Sequence, residues 1–221
     1  MSTGPMSTVP VARSPIAPAP PVVIKAGWEV SGRSASAGSA GAGVLTLTDC
    51  TPLAKMQLRA PVGGTMAAAL GVRFGRAARD ADGTLVAGSG PGEWLLLAPP
   101  GQAGDLLAML ERTAAQAPGE HATWVDLTHG RALMRLHGSA AAGVLAKVCG
   151  IDLGDDATPD GAAFRTAVAA LATDIIRDDQ DGTRSYLLHC ERSSGQYLFD
   201  ALLRAGAEFA IEIDGFEPTG I

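Results

Sequence analysis

Four histidines, three cysteines and 23 carboxylates are the side chains with which this chain of 221 residues could do acid–base, nucleophilic or metal chemistry. His121, His129, His137 and His189 show no i, i+4 or short-loop spacing of the kind that fixes a zinc or iron ligand set. His129 and His137 could meet on adjoining strands, and Cys190 follows His189, but a solvent-facing or hydrogen-bonded ring is the plainer reading of each. No G-x-S-x-G elbow is present, and an alternating strand through Asp126 and Thr128 points His129 to the opposite face, so a Ser–His–Asp relay is not expected. Gly88, Gly90 and Gly92 precede an apolar strand rather than a helix, the wrong order for a phosphate cradle. Asp178, Asp179, Asp181 and Gly182 resemble half of a calcium loop but lack its ligand spacing and closing glutamate, and read as a charged turn.

The partners such a chain could take are bounded by charge. Seventeen Lys and Arg against 23 Asp and Glu leave a net charge of −6, and no basic run interleaves with the ten aromatics, so no nucleic-acid partner is expected. No apolar run of about 18 residues occurs, so no membrane partner is expected either. Cys50, Cys149 and Cys190 form no C-x-x-C pair, and six prolines within residues 1–21 interrupt any signal-peptide core; the expected location is cytoplasmic. A chain of this size with no acid, base, nucleophile or cradle of its own reads as a support for another subunit.

The elements that would position these residues follow from hydrophobic period. Residues 1–43 are rich in Pro, Ser, Gly and Ala, with little apolar surface to offset the cost of ordering, and are expected to form an extended, mobile arm. Trp28 is the exception, and suggests that the arm is laid against another surface. From Val44 the runs Val44–Thr48, Thr65–Leu70, Thr84–Ala87, Glu93–Ala98, Asp105–Ala115 and Ala122–Leu127 read as βαββαβ. Arg131–His137, Ser139–Cys149 with Ser139 as N-cap, Arg165–Ile176, Arg184–Cys190, a helix capped by Ser193 or Ser194, and Glu208–Ile213 repeat that order. Shifting the chain by 92 residues lays Trp94 on Tyr186, Leu106 on Leu198 and Leu110 on Leu202 without a gap. The expected fold class is α+β: two split βαβ, ferredoxin-like units at 44–127 and 131–213, packed as one body over 44–216, with a short tail at 217–221.

The stretch V-D-L-T-H-G-R-A-L-M-R-L-H-G-S-A-A-A-G-V-L-A-K-V-C-G-I-D-L at Val125–Leu153 resembles the gamma subunit of heterotetrameric sarcosine oxidase. So do R-S-P at Arg13–Pro15, G-E-W-L-L-L at Gly92–Leu97, F-R-T at Phe164–Thr166, I-I-R at Ile175–Arg177, Y-L-L at Tyr186–Leu188, E-R-S at Glu191–Ser193 and the helix at Tyr197–Ala205, whereas residues 16–80 match loosely. That family is similar in fold to the folate-binding domain of aminomethyltransferases. Asp126-Leu127-Thr128-His129 fits the D-x-S-H-like strand start of those enzymes, while Arg177 stands where their first acid of an Asp-Asp pair would be. The resemblance implies a noncatalytic subunit beside alpha, beta and delta chains that carry FAD, FMN, NAD and zinc and oxidise sarcosine to glycine. Two alternatives stay open: a stand-alone folate-binding or aminomethyl-transfer protein, and the equivalent subunit of a related N-methyl amino acid dehydrogenase. The resemblance assigns no catalytic, cofactor or metal residue to the chain. Trp28, Trp94, Arg131 and Arg192 are the expected partner contacts, because tryptophan and arginine dominate interface energetics.

Overall fold

The computed structural model describes residues 10–34 and 45–218. The Gly38, Gly41 and Gly43 cluster, residues 1–9 of the expected arm and residues 219–221 of the tail lie outside the described residues. Within the arm, β1 (Ala12–Arg13), β2 (Val22–Lys25) and β3 (Trp28–Ser31) form a small sheet ordered β1-β3-β2, turned by Ala26 and Gly27 at positive φ. Trp28 and Val30, one strand period apart, both enter the body's core.

Alternation decides the strands of the body. After β4 (Thr46–Asp49) comes β5 (Ala54–Arg59), whose Ala54, Met56 and Leu58 face helices while Lys55, Gln57 and Arg59 face the other way. There follow α1 (Thr65–Leu70), β6 (Ala77–Arg79), β7 (Leu85–Gly90), β8 (Glu93–Ala98), α2 (Ala103–Ala115) and β9 (Thr123–Asp126). The second half is β10 (Arg131–His137), α3 (Ala141–Ala146), β11 (Ala163–Val168), β12 (Leu171–Arg177), β13 (Ser185–Glu191), α4 (Gly195–Gly206) and β14 (Glu212–Asp214). One sheet runs β6-β7-β8-β5-β9 and the other β11-β12-β13-β10-β4-β14.

Three clusters of buried side chains fix the layering. Met66, Leu106 and Leu110 of α1 and α2 pack on Met56, Leu58, Trp94 and Leu96 of the first sheet. Val144, Leu198 and Leu202 of α3 and α4 pack on Leu47, Met134, Leu136 and Leu188 of the second. The inner faces meet through Leu85, Leu95, Leu97, Leu133, Ile176 and Leu187. The result is helices, sheet, sheet, helices: the expected α+β class, with the aligned pairs Trp94/Tyr186 and Leu110/Leu202 in equivalent buried positions. Each fully buried leucine here stabilises by about 1.5–3 kcal/mol relative to exposure. Hydrogen bonds from Ala77 N to Gly161 O and from Ala163 N to Gly75 O tie the two sheets at one corner.

Several elements differ from their sequence reading. The strand expected to open the first half is β4, and it lies in the second sheet, antiparallel to β10 and parallel to β14. Leu45 and Leu47 carry it there, because they pack in the α3/α4 core. The place it leaves in the first sheet is taken by β5. The single strand expected over Arg165–Ile176 is a hairpin, turned by Ala169 and Ala170 at φ 47° and 67°. α3 spans only Ala141–Ala146, with Ala140 rather than Ser139 at its N-cap and no side-chain cap bond; Ser194 stands at the N-cap of α4, as one of the two expected serines, without a side-chain bond.

Candidate functional site

The chemistry-bearing side chains gather in four places. At the arm junction, Trp28 is 5% exposed and stacks on His129, with ring centroids 4.8 Å apart and planes 9° from parallel. Arg192 donates to the carbonyl of His129 at 3.3 Å and to that of Arg13 at 2.7 Å, so one guanidinium holds arm and body together. Arg131 pairs with Glu191 on the neighbouring strand. Three of the four expected partner contacts therefore meet at one spot, where two of them hold the chain's own arm. The fourth, Trp94, lies elsewhere. His129 precedes β10 and His137 is its last residue, so the two stand at opposite ends of the strand and do not meet.

Between the sheets, β13 brings His189 opposite Asp174 of β12, with Nδ1 and Oδ2 3.2 Å apart. Burial lowers the histidine below its usual pKa against the pull of Asp174, so the ring is neutral at pH 7. Burial raises Asp174, but hydrogen bonds from His189 and Arg165 outweigh it and hold the carboxyl below the usual range. Arg165 bonds Asp174 at 2.6 Å and reaches across to Glu93 of the facing sheet at 3.1 Å. A neutral ring that donates from Nδ1 leaves Nε2 an acceptor, and Nε2 is buried with no partner among the described residues. This is an oriented Asp–His pair to which no described hydroxyl or thiol bonds.

Deeper in the same layer, Lys55 is fully buried and donates to the carbonyls of Thr51 at 2.6 Å and Leu53 at 2.8 Å. Burial pulls its pKa down to about 7, against the raising influence of Asp49 and Cys50. Burial also raises Asp49 and pushes the Cys50 thiol up to about 12, so Cys50 is an inert thiol at neutral pH. At the opposite end of the sheets, Asp178 accepts from Arg79 and Arg135, and Arg177 is held by Asp155, Asp179 and the Thr158 carbonyl. Of the residues in the aminomethyltransferase-like stretch, Asp126 is exposed and accepts from Thr128 N at 2.8 Å, and the indole of Trp28 stacks on one face of His129; Asp178, next to Arg177, sits between two arginines. Among the described residues no group of three or more His, Cys, Asp or Glu could hold a metal ion.

The fourth place is a groove of about 490 Å³ beside α1, lined by Val62, Gly64, Ala67, Ala68, Phe74 and Pro91 among others, with Trp94 as its floor. The Trp94 indole is locked by a 2.6 Å hydrogen bond from Nε1 to the Val72 carbonyl. Sequence reasoning found Trp94 but missed Val62 and Phe74, which stand exposed on the groove's rim. Apolar residues outside any periodic run were the available signal. Among the described residues, no helix is long and apolar enough to cross a membrane.

Comparison with known proteins places these features in a family. Residues 60–219 match the GCVT N-terminal domain. A curated relative, sarcosine oxidase subunit gamma of Corynebacterium sp. (strain U-96), is 32% identical over 179 residues, which cover 77% of this chain and 83% of the relative. Sarcosine oxidase subunit gamma of Arthrobacter sp. is 35% identical over 138 residues, covering 58% and 64%. Among solved structures, a chain of the heterotetrameric sarcosine oxidase from Corynebacterium sp. U-96, in complex with pyrrole 2-carboxylate, superposes with a TM-score of 0.66 at 31% identity, covering 77% of this chain and 88% of that one. The glycine cleavage system aminomethyltransferase T of Bartonella henselae superposes with a TM-score of 0.65 at 18% identity, covering 88% of this chain and 55% of that one, a likeness of fold.

Proposed function

Since this chain belongs to the sarcosine oxidase gamma subunits, a family within the GCVT N-terminal domain proteins, we propose that it is a noncatalytic subunit that supports assembly of the flavin-containing chains of a heterotetramer. The observation that carries this reading is the fate of its reactive groups. His189, Asp174, Lys55, Asp126 and Asp178 are all bound to the chain's own groups, whereas Val62, Phe74, Val125 and Ile24 stand exposed. In this reading the alpha, beta and delta subunits are the partners, FAD, FMN, NAD and zinc reside on them, and the complex oxidises sarcosine in the cytoplasm. Arg131 and Arg192 act indirectly, by fixing the arm and strand ends that a partner meets; Trp28 anchors the arm and Trp94 shapes the groove.

Co-expression with the other three subunits tests this. The chain is expected to co-purify with them in equal amounts, and the purified chain is expected to leave sarcosine unchanged. Turnover by the chain on its own, or a stable monomer that ignores the large subunit, would overturn the reading. Calorimetry with tetrahydrofolate is expected to give no heat of binding; a saturable signal weakened by Asp126→Asn would favour the folate-binding alternative.

A further inference from the structure

The groove over Trp94 is built to receive something the chain does not supply. Its near wall is α1 with Gly64, Ala67, Ala68 and Gly71, side chains too small to fill about 490 Å³, and its rim carries Val62 and Phe74, 68% and 58% exposed. The segment bearing Phe74 is fixed in place, since it crosses so close to β7 that a Cβ at Gly88 would collide with the Arg73 carbonyl, and Gly75 N bonds Gly88 O at 3.0 Å. The floor is fixed by the Trp94 bond to Val72. A preformed apolar groove with a rigid floor loses little entropy on binding.

Charge narrows the occupant. Arg59 and Arg79 of the same sheet are ion-paired with Glu93 and Asp178, whereas the side chains of Arg73, which is exposed and lines the groove, and nearby Arg76 make no hydrogen bond or ion pair among the described residues. A second copy of this chain meeting groove to groove would set Arg73 near its own symmetry mate, like charge against like. Resting on the subunit reading above, we propose that this groove docks a partner subunit's segment that places an aliphatic or aromatic side chain between Val62 and Phe74 and a carboxylate against Arg73. Val62, Phe74 and Arg73 are then the contacts that fix which face of the chain meets its partner.

The test uses the full chain co-expressed with the alpha, beta and delta subunits. Phe74→Glu and Arg73→Glu, at exposed positions that leave the fold intact by circular dichroism, are each expected to weaken co-purification by tenfold or more. Tyr197→Glu, equally exposed on α4 at the far side of the second sheet, is expected to leave it unchanged. If the wild-type chain fails to associate, the subunit reading falls and the docking proposal with it. If the wild type associates and both groove variants do so equally well, the groove proposal is overturned while the subunit reading stands. A wild-type homodimer that Phe74→Glu turns into a monomer would assign the groove to a second copy and overturn the proposal as well.

Discussion

Lys55 shows what burial does to a charge in this molecule. Its amine has two carbonyl acceptors and no carboxylate in contact, so the folded state favours the neutral form, with a pKa of about 7 against 10.5 when unfolded. Between those values the unfolded chain binds one more proton than the folded one, so stability rises with pH. As pH falls toward 7 that stability is lost, and below 7 the full penalty of a buried ammonium remains. From pH 7 to about 8.5, below the range in which the raised thiols of Cys50 and Cys190 act in the opposite sense, wild-type unfolding free energy is expected to rise by roughly 1 kcal/mol per pH unit. Urea denaturation at the two pH values measures it, and Lys55→Met should flatten the slope. An unchanged slope in the variant would assign the effect to another group. None of this is legible in sequence, where Lys55 alternates with apolar neighbours like any solvent-facing lysine; only the second sheet lying over it makes the position interior.

The elements carry two testable weaknesses. The β11–β12 hairpin turns through two alanines in the left-handed region, where L side chains cost about 1–2 kcal/mol each. Ala170 is exposed, so Ala170→Gly should raise stability by about 0.5–1 kcal/mol, visible as a shift of the urea midpoint. A lower midpoint would show that the turn is not strained. α1, a helix of six residues, has no side-chain cap at its N-cap Gly64; its first amides are instead met by Glu120, which accepts from Thr65 N at 2.6 Å and Met66 N at 3.1 Å. Glu120→Ala should cost about 1 kcal/mol and loosen the groove wall, seen as faster amide exchange in α1. What the sequence allowed at this scale tracks local signal. The helix at Thr65–Leu70 and the strand Glu93–Ala98 appear at the expected residues. The A-K-M-Q-L-R alternation of β5 was readable but lay in the stretch of weakest resemblance, and an alanine turn announces nothing because no glycine or asparagine marks it. The arm junction was legible as residue types, tryptophan and arginine, without the fact that they face one another.

At the scale of the molecule, the two halves share more than a contact face. β4 precedes the first half in sequence yet completes the second sheet, so a chain cut between Leu127 and Arg131 leaves the first sheet whole and takes β4 from the second. The fragment 131–218 is expected to be insoluble when expressed by itself, because the edge of β10 and the core position of Leu47 are left open; co-expression with fragment 10–127 should restore solubility. A cooperative thermal melt of 131–218 in isolation would contradict this. Sheet membership of this kind lies beyond sequence patterning, since hydrophobic period states that a strand exists and not which distant strand it joins. It also sets a timetable for biosynthesis. Some 160 residues separate β4 from β14, the neighbour on its other side, and at ribosomal speeds of about 5–20 residues per second that is on the order of ten to thirty seconds. For the first half of that interval, until β10 emerges, Leu45 and Leu47 have no strand to settle on, which makes the nascent protein a client for whatever chaperone or newly made companion stands nearest the ribosome.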